Sequence, residues 1–152
     1  MGMKLNIPAF ADGATIPRLL TCDGADLSPS IEWTGESPNT RSLALIVEDP
    51  DAPGGVWTHW MLYDIPPGVR SLPQGYKAAK TVLSGKNDFG RAGYGGPCPP
   101  KGHGPHRYIF RLFALDVESL GLRAGAERRE LERAMRGHVI GEAQYMGRYE
   151  RR

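Results

Sequence analysis

Three stretches of the chain carry apolar residues in runs of strand length. Residues 42–49, SLALIVED, form a short, nearly continuous apolar run of the kind a buried strand shows. Residues 59–66, HWMLYDIP, are similar and stop at the pair Pro66-Pro67. Residues 106–116, HRYIFRLFALD, alternate more clearly and place Tyr108, Phe110, Leu112 and Ala114 on one face. Two weaker segments, KLNIPAF at 4–10 and SIEW at 30–33, predict shorter or edge strands, the first because Pro8 interrupts it. The clusters DGAD, GESPN, PPGVRSLPQG and GYGGPCPPKGHGP between them read as turns.

The pattern changes period once. Over 125–138 the residues Leu131, Ala134, Met135 and His138 fall on one helical stripe, with Glu and Arg elsewhere, and Gly137 marks the end. The final stretch, VIGEAQYMGRYERR, predicts a second helical turn and then a strand at 145–149. No repeat and no linker divides the chain. The expected architecture is mainly β: one domain over 1–152, an antiparallel β-sandwich of two sheets with one or two C-terminal helices.

Composition narrows the function classes. Twenty glycines and 13 prolines in 152 residues favour many turns over long helices. A net charge of +2 supplies no basic surface for nucleic acid or anionic lipid. The first 17 residues hold no apolar run long enough for an export signal or membrane span, so the expected location is cytoplasmic. Two cysteines, Cys22 and Cys98, are too few for a disulfide framework or a four-thiolate zinc site. One bridge between them remains open, but two free buried thiols are the expectation in a reducing compartment.

Chargeable residues gather at two strand entrances. If 42–49 and 59–66 pair as a hairpin, Asp49 and His59 share an edge, joined by a loop that carries Asp51 and is stiffened by Pro50 and Pro53. A cis bond before Pro53 is compatible with such a loop. The second entrance repeats the design: YGGPCPPKG, then His103, His106 and Tyr108. If the loops meet, the residues could bind a metal, or pair Cys98 with His106 in a metal- or thiol-dependent hydrolase. They could also bind a small anion through imidazole, hydroxyl and loop amide donors. In that case the aspartates would accept from the histidines and favour the charged imidazolium. Taken singly, each residue is more often structural than functional.

The blocks DPDAP, WTHW and GPCPPKGHGPHRY resemble the signatures of the phosphatidylethanolamine-binding protein family, also called Raf kinase inhibitor proteins. TCDGADLSPSIEW, NDFGRAGYGGPCPP, FALD and AMRGHVIGEAQYMGRYER are similar to its compact bacterial and archaeal branch, and the likeness spans about residues 4–150. The resemblance implies a β-sandwich with a pocket for phosphoryl or phospholipid-headgroup-like anions, lined by Asp49, Asp51, Pro53, Trp57, His59, Pro99, His106 and Tyr108. It implies no cofactor, a binding or regulatory protein rather than an enzyme, and a kinase or protease as the kind of target inhibited. A homodimer is compatible with the exposed sheet faces of such a sandwich. Cys98 stands where longer members carry glycine, the chain lacks their insert and tail, and His103 matches no pocket position and is expected to face solvent.

Overall fold

The computed structural model describes residues 2–152. Eight strands form two antiparallel sheets: β1 (Lys4–Asn6), β2 (Ile31–Thr34), β3 (Ser42–Asp49), β4 (Trp57–Ile65), β5 (Ser71–Leu72), β6 (Leu83–Ser84), β7 (His106–Leu115) and β8 (Val139–Tyr149). The small sheet has the order β1-β2-β5, and the large one β6-β4-β3-β7-β8. One helix, α1 (Arg128–Met135), lies between β7 and β8 in the chain.

Strand β3 is central, and its unbroken apolar run follows from its position. Leu43, Leu45 and Val47 point into the core between the sheets, where they meet Leu5, Ile31, Trp33 and Leu72 of the small sheet. Ala44 and Ile46 point the other way, into a second core closed by Leu131 and Met135 of α1. All eight residues of β3 are buried. At about 25 cal/mol per Å² of apolar surface, a strand covered on both faces is a principal contributor to stability.

The helix is shorter than the stripe over 125–138. Glu127 caps its start in an extended conformation, and Gly137 at φ 84° ends it, a backbone geometry that glycine adopts without strain. The expected helical turn after it is instead strand: β8 runs unbroken over 11 residues and pairs with all of β7 from His106↔Tyr149 to Leu115↔Val139. The β-branched pair Val139-Ile140 favours extension, and Ala143, Tyr145 and Tyr149 alternate inward. Strand β5 falls in a segment that reads as a turn and β6 in one with no strand signal, because two residues are too few to show a period. No peptide bond among the described residues is cis, so the bond before Pro53 is trans.

Gly147 shows how tightly β8 packs. A Cβ there would lie 2.6 Å from a ring carbon of Phe10 and closer still to Ile16. Gly147→Ala is therefore expected to destabilise the fold by about 1–3 kcal/mol through overpacking, read as a lower thermal midpoint.

Candidate functional site

Both strand entrances meet at one end of the large sheet. Asp49, the last residue of β3, pairs with Trp57, the first of β4, and β7 begins beside them at His106. Continued alternation along β4 would send His59 to the helix side with Met61 and Tyr63. The β3–β4 register instead jumps from Val47↔Trp60 to Glu48↔Thr58, leaving His59 opposite nothing. This bulge re-aims the imidazole toward Asp49 and Tyr108, whose ring it meets edge-on at 5.2 Å.

The third wall is the segment 95–100. Gly95 binds His59 in both directions: its N–H donates to the His59 carbonyl at 3.0 Å, and its carbonyl accepts from His59 Nδ1 at 2.6 Å. A side chain at Gly95 would strike Phe89, and one at Gly96 would strike the Asp26 carboxylate that holds the Gly96 N–H at 2.9 Å. Glycine is required at both positions by close approach. The segment is then anchored by a disulfide between Cys98 and Cys22, with Cα atoms 5.4 Å apart. The expectation of two free thiols is thus wrong. Cys22 sits beside the 95–100 segment, its N–H donating to the Pro97 carbonyl at 3.1 Å, a proximity across 76 residues that spacing could not reveal.

These elements enclose a cavity of about 210 Å³. Asp49, Pro53, Trp57, His59, Pro99 and His106 line it, together with Ala52, Phe89, Cys98 and Pro100. Phe89 had no periodic signal to mark it. It packs edge-on against both Trp57 (5.5 Å) and His59 (5.4 Å). A larger cavity, about 620 Å³, opens beyond residues 91–94, but no histidine lines it.

Two of the expected residues support the cavity without lining it. Asp51 turns outward to Arg107, accepting from its guanidinium at 2.9 and 3.0 Å and from its backbone N–H at 2.9 Å. Those bonds hold the Asp51 carboxyl down to a pKa of about 2. Asp51 therefore fixes the loop to β7 and is not an acceptor for either histidine. Tyr108 is buried beneath His59 and His106, and burial beside Asp49 pushes its hydroxyl well above the usual phenol range.

Asp49 accepts from His106 Nδ1 at 2.6 Å and from the Asp51 N–H at 2.7 Å, so both of its oxygens are engaged. His103 is exposed, as expected, yet its Nδ1 lies 2.6 Å from His106 Nε2 and extends the chain Asp49–His106–His103 to the surface. His59 behaves differently: burial lowers its pKa below the ordinary value of 6.5, only partly offset by the Gly95 carbonyl and Asp49. A neutral His59 keeps its Nδ1 proton on Gly95 and leaves Nε2 without a partner among the described residues. Because Cys98 is bonded to Cys22, the Cys98–His106 nucleophile pair is absent. Among the described residues no three His, Cys, Asp or Glu side chains converge as a metal would need.

The chain matches the family model described as phosphatidylethanolamine-binding protein over residues 6–150. It is 50% identical to a UPF0098 protein of Aquifex aeolicus, covering 98% of this chain and 89% of that protein. A UPF0098 protein of Pyrococcus horikoshii is 46% identical over all of this chain and 78% of its own length. Among solved structures, a phosphatidylethanolamine-binding protein homologue from Chlamydia trachomatis aligns with a TM-score of 0.92 at 38% identity, covering 99% of both chains. E. coli YbcL, described as a member of the mammalian family, aligns over the full length of both chains with a TM-score of 0.93 at 32% identity. The match over nearly every residue, in sequence and in fold, makes this chain a member of the phosphatidylethanolamine-binding protein family.

Proposed function

We propose that the 210 Å³ cavity binds a phosphoryl group carried on an organic body, and that the chain acts by binding rather than by catalysis. The observation that carries this reading is the placement of two buried imidazoles, His59 and His106, each 3% exposed or less, in the wall of one small cavity. Protonated imidazoles donate charge-assisted hydrogen bonds to anionic oxygens. The one carboxylate in the wall, Asp49, already has both oxygens occupied, which lessens its repulsion of an anion. Pro53, Pro99 and Trp57 supply apolar walls that exclude water and strengthen those bonds.

The mouth favours an anion with an apolar substituent. Trp57 and Phe89, both lining the cavity, are 36% and 41% exposed and form an apolar rim around a polar floor. A phosphoryl headgroup fits this arrangement. Inhibition of a kinase or protease would use the same exposed rim as its contact surface.

The pH dependence has a definite sign. Charging His59 opposes folding, so its contribution to stability is lost as pH falls below 6.5 toward its lowered folded value. A bound anion favours the charged ring, so affinity must rise as pH falls toward the lowered value of His59 in the free folded protein. Sulfate, which stays doubly charged from pH 7 to 5, isolates the protein's own titration. Isothermal calorimetry should show sulfate binding tighten as pH falls toward that lowered value, and His59→Gln should flatten the curve. Affinity that stays constant or falls toward acid would refute the reading.

A further inference from the structure

His103 is the one imidazole of the cluster that reaches solvent, and it occupies the atom a ligand would need. His106 is 2% exposed and pinned by Asp49 through Nδ1. Its Nε2 is the nitrogen left to meet a ligand, yet His103 Nδ1 holds it at 2.6 Å, with ring centroids 4.9 Å apart. With Nδ1 donating to Asp49, a neutral His106 accepts from His103, whereas an anion there requires His106 to donate. The contact with His103 and the contact with an anionic oxygen are therefore mutually exclusive.

Of the two rings, His103 is the one free to move. It is exposed, so leaving His106 costs it little desolvation. It lies between Gly102 (φ 75°) and Gly104 (φ 84°), where an added side chain would meet nothing within 4 Å. His106 has no such freedom, because moving it would strand the buried Asp49 carboxylate.

We propose that His103 is a displaceable plug: it caps His106 Nε2 in the ligand-free chain and yields that nitrogen to an oxygen of the incoming anion. The proposal rests on the phosphoryl reading above and adds a positioning residue that tunes affinity by competition. Removing the competitor costs the ligand one hydrogen bond less, so the expected gain is about fivefold.

The test is sulfate titration of the wild-type chain and of His103→Ala, followed by calorimetry and by the histidine ring resonances. His103→Ala should bind sulfate about fivefold tighter, and in the wild type the His103 ring should leave His106 as sulfate saturates. Equal or weaker binding by His103→Ala, or a His103 ring still on His106 at saturation, overturns the plug while the phosphoryl reading stands. Sulfate binding by neither protein overturns both. Binding by His103→Ala alone supports the plug in its strongest form. His106→Ala should abolish binding in either background, and binding that survives it counts against both.

Discussion

Replacement of both cysteines, C22S/C98S, is expected to lower the unfolding free energy by about 4 kcal/mol, the loop-entropy value for a closed segment of this length. The disulfide joins residues 76 apart, so its loss releases much of the chain in the unfolded state. Non-covalent contacts keep the ends near each other in the folded form. Cys22 N–H donates to the Pro97 carbonyl at 3.1 Å, and Arg151 bridges Asp23 at 3.2 Å and the Cys98 sulfur at 3.5 Å. The variant should therefore fold natively, with a lower urea midpoint and a somewhat larger m-value, because the unfolded chain freed of its cross-link exposes more surface. A change below about 1 kcal/mol would show that the loop-entropy argument does not apply here. Cys98 also lines the cavity, one residue before Pro99, so the variant should bind anions more weakly as the 95–100 wall loosens. The disulfide and the cytoplasmic expectation agree only in a compartment oxidising enough to keep the bond. Among the described residues, no helix is long and apolar enough to cross a membrane.

Asp49→Ala carries the second large effect, about 3 kcal/mol of stability together with loss of anion binding. It strands the His106 Nδ1–H at a site 2% exposed and leaves the Asp51 N–H without its acceptor. Asp49→Asn keeps a side-chain oxygen for one of those donors and should cost less. Asp51→Ala is the informative contrast. Its partner Arg107 is half exposed, so chemical denaturation should register no more than about 1 kcal/mol. If Asp51→Ala proved as damaging as Asp49→Ala, the division of labour between the two aspartates would be wrong.

Much of this fold was legible because β3, β4 and β7 are long and apolar enough to declare themselves, with β3 running from Ser42 to Asp49 as its run predicts. The misreading of 139–144 as helical has a local cause. Gly141 interrupts the alternation of β8 within that stretch, where it packs against the Met3 side chain from a distant part of the chain. The meeting of the two loops at one sheet end stood only as a condition, whereas the shared sheet edge of Asp49 and His59 followed from the hairpin argument. The bulge that turns His59, the outward pairing of Asp51 with Arg107, and the cap of His103 on His106 did not. Each depends on a register shift or a side-chain partner that periodicity does not encode.

The most direct measurement is the response of the His59 and His106 ring resonances to inorganic phosphate and to O-phosphoethanolamine at mildly acidic pH. Both rings should shift saturably and together, with the Trp57 indole following, while the surface ring of His138 stays unmoved. Rings that remain unperturbed at saturating millimolar phosphate, or a response confined to His138, would contradict the phosphoryl pocket.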